Sequence, residues 1–228
     1  MTDTPQQLAD VLRPVKHVLL DFDGPVSSVF ASLPAPEVAR RLREGLLATG
    51  AQAPVEAEEE SDPLALLRLI SDARPDLTAT ADAALDELET EAVRVGRPTL
   101  GAESVLRASA RSGRLVSVVS NNAGAAIEAY LTECGLSAFV AGIFGRAPGD
   151  PSSMKPNPRF LLEAMEALGT RPEHCIFIGD AARDVEAGEA VGIPTIGYAN
   201  KSGKVAKLAA AGAVVIVGSM ELIADALT

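Results

Sequence analysis

The stretch Val15-Lys16-His17-Val18-Leu19-Leu20-Asp21-Phe22-Asp23-Gly24-Pro25 decides how the chain is read. Val15, Val18, Leu19 and Leu20 make the apolar run a buried strand needs, and Gly24-Pro25 breaks it. Two aspartates two residues apart then stand at the strand's end. One carboxylate there can attack a substrate or hold a cation while the other handles a proton. The same pair also fits solvated turn formers, so the partners of such chemistry have to come from the rest of the chain.

Working outward, five or six short apolar segments in all are predicted as strands: Val15 to Phe22 itself, Leu115 to Ser120, a weak one near Val140 to Phe144, Cys175 to Gly179, Thr195 to Tyr198 and Ala213 to Val217. Their near-continuous apolarity favours a parallel sheet covered on both faces. Helical patterns fill the intervals at Gly101 to Ser112, Ala123 to Cys134, Asn157 to Leu168, Ala182 to Ala190 and Lys201 to Ala211, several ending at a glycine. Strand alternating with helix means an α/β fold with a doubly wound, Rossmann-like parallel sheet. Residues 29–97 break the alternation. Glu37 to Thr49, Pro63 to Arg74 and Ala79 to Val95 read as helices, joined by an acidic connector from Ala51 to Asp62 that is expected to be solvated. The expected organisation is a core of 1–28 and 98–228 with an inserted α-helical cap of 29–97, hinged near Pro34 and Pro36 on one side and Gly96 to Pro98 on the other.

The composition narrows the function classes. The chain has 228 residues, 47% hydrophobic and 4% aromatic, enough for one α/β domain with an insertion. A net charge of −11 argues against nucleic acid as a partner. Its apolar runs are strand-length, so no membrane span is expected, and the polar Met1 to Asp10 does not read as a signal peptide. Cys134 and Cys175 have no metal-ligand spacing and suggest reduced thiols in a cytoplasmic protein.

Four polar clusters fall at strand ends or helix entrances, where open α/β sheets bind ligands: Asp21/Asp23, Ser120-Asn121-Asn122, Lys155-Pro156, and Gly179-Asp180 through Asp184. Each has an ordinary structural explanation when taken singly, as a cap, a solvated lysine or a helix N-terminal pair. Together they describe phosphoryl transfer. An Asp nucleophile can form an acyl phosphate, Asp21 and Asp180 offer hard oxygens for Mg²⁺, Lys155 brings positive charge, and Ser120 and Asn121 can donate to phosphoryl oxygens.

In these motifs the chain resembles the haloacid dehalogenase superfamily over nearly its whole length. Asp21-Phe22-Asp23-Gly24, Ser120-Asn121, Lys155 and Gly179-Asp180 to Asp184 are similar to that family's four motifs, and the helical block to its cap, in the manner of the phosphoglycolate phosphatase and beta-phosphoglucomutase branch. The resemblance implies a Mg²⁺-dependent phosphatase of a small phosphate monoester, acting through an aspartyl-phosphate. Asp21 would be the nucleophile and Asp23 the general acid and base. Ser120, Asn121 and Lys155 would bind the phosphoryl group, with Lys155 also catalytic. The metal would be held by Asp21, the backbone carbonyl of Asp23, Asp180, and Asp184 as ligand or support. Pro25 and Ser28-Val29 depart from the family's usual Thr and Asp-Ser, which bears on how the loop is braced.

A sugar phosphomutase of the beta-phosphoglucomutase type shares every core motif and stays open as an alternative; Asp23 argues against dehalogenation. Outside enzymes, a Mg²⁺- and phosphate-binding switch module is the alternative, though receiver domains are about half this length and lack a lid. For the leaving group, the cap arginines (Arg40, Arg41, Arg43, Arg68, Arg74, Arg94, Arg97) are a plausible source of contacts, although each singly reads more readily as a solvated surface residue, and Tyr198, Lys201 and Lys204 follow a core strand where they could border the pocket. Oligomeric state is not legible.

Overall fold

The computed structural model describes residues 4–228. Its strands are β1 (His17–Leu20), β2 (Ser27–Ser28), β3 (Arg97–Pro98), β4 (Leu115–Ala123), β5 (Gly142–Arg146), β6 (Cys175–Gly179), β7 (Thr195–Tyr198) and β8 (Val215–Val217). The α-helices are α1 (Thr4–Leu12), α2 (Ala35–Ala48), α3 (Pro63–Ala73), α4 (Thr78–Val95), α5 (Ala102–Arg111), α6 (Gly124–Glu133), α7 (Arg159–Ala167), α8 (Ala182–Ala190), α9 (Lys204–Ala211) and α10 (Met220–Ala226).

Six strands form one parallel sheet in the order β5-β4-β1-β6-β7-β8, the arrangement of a doubly wound fold. β1 lies centrally, pairing Leu20 with Val118 on one side and Ile178 on the other. Its side chains explain why the run is continuously apolar. Val18 and Leu20 enter one core cluster, with α1, α5, α6 and α10, while Leu19 enters the cluster on the opposite face, with Phe160, Leu161 and Phe177. The order reverses around β1, so a crevice opens beyond the carboxyl ends of β1, β4 and β6.

The insert is helical, as expected. α2, α3 and α4 enclose their own apolar cluster, including Leu42, Leu46, Leu67, Ile70 and Leu85, and the core lends it Met154. Its connections correct one expectation. The N-terminal crossing is not at Pro34 and Pro36: Pro34 holds the N-cap position of α2 with φ −61°, and Pro36 is the second residue of that helix, positions proline's fixed φ and missing N–H both suit. The chain crosses instead at β2, paired antiparallel with β3, so Ser27 faces Pro98 and Ser28 faces Arg97. The segment 51–62 carries a short 3₁₀ turn at Val55–Ala57 and is braced by Arg43, which donates to the carbonyls of Ala57 (3.2 Å) and Glu60 (2.7 Å).

Two helices were not expected. The polar start read at Met1 to Asp10 falls partly outside the described residues. From Thr4 it is α1, burying Leu8 and Leu12, and α10 packs beside it. Helix α7 begins at Arg159 rather than Asn157, because the Asn157 side chain accepts from the Arg159 N–H at 3.0 Å. None of the helices is long and apolar enough to cross a membrane among the described residues.

Candidate active site

β1 delivers Asp21 to its carboxyl end, where the Asp21 N–H still bonds the Ile178 carbonyl at 2.9 Å. Beyond it the chain curls. Phe22, fully buried, meets the Tyr130 ring edge-on at 5.2 Å and so pins the loop between the two carboxylates; burying such a ring contributes roughly 2–3 kcal/mol. The turn closes through the Gly24 N–H to the Ser27 carbonyl (2.7 Å), and the Thr99 hydroxyl donates to the Gly24 carbonyl (2.6 Å). Thr99 follows the returning strand β3, so the loop that Pro25 leaves without a hydroxyl is braced from the opposite cap connection. Gly24 adopts φ +112°, and a Cβ there would lie 2.2 Å from Asp180 Oδ2. Only glycine fits.

Lys155 is the centre of the arrangement. Its side chain is 1% exposed, and Nζ lies 2.8 Å from Asp21 Oδ1 and 2.7 Å from Asp184 Oδ1, while donating to the Val119 carbonyl at 3.1 Å. Burial alone would lower the lysine, but Asp184 and Asp21 outweigh it and hold the ammonium above its ordinary range. Asp184 is fixed in turn, its Oδ2 accepting from the backbone N–H groups of Asp180 and Ala181, each at 3.0 Å. A Cβ on Gly179 would collide with that carboxylate at 2.5 Å, so β6 ends in glycine where Asp184 folds back.

Asp180 faces the crevice, with Oδ2 bonded by Asn200 Nδ2 (3.2 Å) and by Lys204 Nζ. Burial drives the Asp21 and Asp180 carboxyls upward, and Asp23 to about 6, the last partly offset by the Val29 N–H that Asp23 Oδ1 accepts at 2.9 Å. Oxygens of Asp21, Asp180 and Asp184 lie within 4.8 Å of one another. Two ammonium groups, Lys155 and Lys204, face these three buried carboxylates. A hard-oxygen set with surplus negative charge fits a divalent cation such as Mg²⁺. Asp21 Oδ2 and Asp180 Oδ1 accept no hydrogen bond among the described residues, whereas Asp184 Oδ2 accepts two backbone N–H groups and its Oδ1 faces the Lys155 ammonium.

Ser120 and Asn121 are buried at the end of β4. Ser120 Oγ bonds Asn122 Oδ1 at 3.2 Å. The Asn121 side chain is turned onto the lysine loop, accepting from Lys155 N–H at 2.7 Å and donating to its carbonyl at 3.2 Å. Thus Asn121 holds Lys155 by its backbone. The cap reaches the same loop, since Arg68 donates to the carbonyls of Met154 (3.0 Å) and Lys155 (2.6 Å).

A buried ion cluster ties the cap to this region. Arg146, at the end of β5, has no exposed side-chain surface. It bonds Asp82 Oδ1 (2.6 Å), Glu89 Oε2 (3.0 Å) and Asp86, all from α4, and donates to the Asn121 carbonyl at 2.9 Å. Glu89 also accepts from Asn122 Nδ2 (2.7 Å) and the Ala123 N–H (2.9 Å). One cap helix is therefore bolted to the loop that carries Ser120 and Asn121. None of this is visible in the sequence pattern.

Above the site lies a cleft of about 760 Å³ between core and insert, with Asp23, Asp180 and Arg183 in its wall. None of the seven cap arginines lines it. Arg40 pairs with Glu37 and Glu44, Arg41 with Glu91 and Arg74 with Asp76, all on the surface. The cations lining the cleft are Arg183, Lys201, Lys204 and Lys207, all on the core, and Asp62 of the acidic connector stands 3.9 Å from Arg183. The proximity of Lys201 and Lys204 to strand β7 signalled two of them; Lys207 and Asp62 gave no signal.

Comparison with known proteins agrees with this geometry. A family model described as haloacid dehalogenase-like hydrolase matches residues 15–192. The chain is 29% identical over 189 residues to a phosphoglycolate phosphatase of Xylella fastidiosa, covering 79% of each protein. It is 27% identical over 194 residues to an N-acetylmuramic acid 6-phosphate phosphatase of Pseudomonas aeruginosa, covering 79% of this chain and 80% of the relative. A solved structure of a predicted phosphatase from Clostridium acetobutylicum superposes with a TM-score of 0.71 at 19% identity, over 92% of this chain and 97% of that one.

Proposed function

The chain belongs to the haloacid dehalogenase-like hydrolases, and we propose that within that family it is a Mg²⁺-dependent phosphatase of small phosphate monoesters, working through an aspartyl-phosphate. The observation that carries this reading is the Lys155 ammonium bridging Asp21 and Asp184 at the sheet's carboxyl edge. The relatives named above are phosphatases, which supports the reaction class. We take residues 29–97 as the cap.

Asp21 is the nucleophile. Its carboxylate attacks phosphorus, the bond to the leaving oxygen breaks, and the phosphoryl group passes to Asp21. Lys155 opposes the upward push of burial on the Asp21 carboxyl and offsets charge on the transferring group. Asp23, pushed up to about 6 by burial, gives a proton to the leaving alkoxide; it then takes one from the water that hydrolyses the acyl phosphate. Ser120 and Asn121 sit where they can serve the phosphoryl oxygens, Asn121 through its backbone since its side chain is engaged. Asp21, the Asp23 carbonyl and Asp180 would hold Mg²⁺, with Asp184 orienting the set. The ion supplies charge neutralisation at the phosphoryl group.

The test is phosphate release from p-nitrophenyl phosphate and from an alkyl phosphate, with Mg²⁺ and with excess EDTA. Activity that survives EDTA contradicts the metal assignment. Asp23→Asn should cost far more with the alkyl ester, whose leaving group needs a proton. Equal losses with both esters contradict the acid role.

A further inference from the structure

The chain contains five lysines, at positions 16, 155, 201, 204 and 207, against 31 acidic residues. Lys155 lies inside the site and Lys201, Lys204 and Lys207 line the cleft above it, so four of the five serve one small region of a protein of net charge −11. Lys155 and Lys204 are committed to carboxylates. Lys201 and Lys207 make no ion pair among the described residues, and both are exposed. Lys204 and Lys207 stand one helical turn apart on α9, where like charges repel, so helix stability does not account for the cluster. Arg183, the remaining cation in the wall, is only loosely engaged by Asp62 at 3.9 Å.

The opposite wall is different. The insert contributes Phe30, Pro34, Pro63 and Leu64, which are apolar or nearly so, and the acidic Asp62, but no cation. A cleft of about 760 Å³ is also larger than one phosphoryl group needs, so space remains for the leaving group between an apolar wall and a basic one.

We propose that Lys201 and Lys207, with Arg183, form a recognition site for a second anionic group, carboxylate or phosphate, on the leaving alcohol. Discrimination among esters then resides in the core segment 200–207 and not in the cap arginines, none of which lines the cleft. The inference rests on the phosphatase reading for its site, but binding tests it separately. Exposed charges act over a distance set by salt, so the preference should be strong at low ionic strength and shrink when salt is raised.

Three esters serve as probes: ethyl phosphate, 2-phosphoglycolate and ethane-1,2-diyl bisphosphate. In wild-type protein at low salt, kcat/KM for one or both anionic-tailed esters should exceed that for ethyl phosphate about tenfold or more. Lys201→Ala with Lys207→Ala should collapse that ratio towards unity, whereas Lys201→Arg with Lys207→Arg should keep it. Which anionic ester leads tells carboxylate from phosphate. A ratio unaltered in the alanine pair, or a preference for ethyl phosphate, overturns the proposal. The same esters are titrated calorimetrically into the Asp21→Asn protein, where no turnover is needed. Tighter binding of the anionic tails, lost in the alanine pair, upholds the site even if the phosphatase reading fails; equal binding of all three overturns it.

Discussion

Replacing Arg146 by methionine should destabilise the protein more than any surface change, and the structure sets the scale. The guanidinium is fully buried and serves Asp82 and Glu89, which are also buried, together with Asp86 and the Asn121 carbonyl. Methionine matches much of the volume and none of the charge. Glu89 retains two donors, Asn122 Nδ2 and the Ala123 N–H, and Asp82 retains the Gly149 N–H. Both carboxylates nevertheless lose the only cation that pairs with them among the described residues. Removing one partner of a buried pair costs about 3–5 kcal/mol, against a total stability of about 5–15 kcal/mol. Urea unfolding should show a loss in that range. The variant's pH response should also differ from that of the wild type. Orphaned carboxylates are raised in the folded state, so that state binds more protons than the unfolded chain, and Arg146→Met should gain stability relative to wild type as pH falls from 8 towards 5.5. If the variant does not fold at pH 8, Arg146→Lys, which keeps the charge but loses the planar fork, should give a smaller loss of the same kind. A loss below about 1 kcal/mol with no relative gain in acid would refute the view that the cluster bolts α4 to the core.

Further outcomes follow from single residues. His17, buried against Ser117 Oγ at 2.9 Å, is pushed down by burial to about 4; the unfolded chain takes up its proton first, so stability present above pH 6.5 is lost towards pH 4, by about 3 kcal/mol in full. His17→Gln should flatten that part of the urea-midpoint profile, and parallel profiles would count against it. Lys155→Ala should slow turnover by about 100-fold or more, and a change confined to KM would mean that the lysine only binds. Gly24→Ala drives a Cβ into Asp180 Oδ2, 2.2 Å away, and should raise the Mg²⁺ concentration needed for half-maximal rate; an unchanged requirement would detach Asp180 from the metal.

The sheet was legible because burial on both faces leaves no alternation to misread: Cys175–Gly179 and Thr195–Tyr198 were found at their observed bounds. The helices α1 and α10 were not, because each is short and shows its apolar stripe only once its partner is known. Prolines misled the reading of the cap connection, since Pro34 and Pro36 signal a break but also suit the start of α2. The polar clusters at the strand ends were visible as residues. Their wiring was not. That Lys155 joins Asp21 to Asp184, and that Asn121 grips the lysine's backbone, depends on side-chain directions that spacing does not encode. Arg146 is the extreme case, meeting partners 57 to 64 residues upstream that only the docked insert brings within reach.

The central claim, that Asp21 accepts the phosphoryl group, is tested most directly by quenching the enzyme in acid during turnover of an activated ester with Mg²⁺ and mapping the phosphorylated peptide by mass spectrometry. The account predicts a hydroxylamine-labile phosphoryl adduct on the peptide containing Asp21, absent from Asp21→Asn. An adduct on another residue, or rapid turnover by Asp21→Asn with no adduct in either protein, would contradict it.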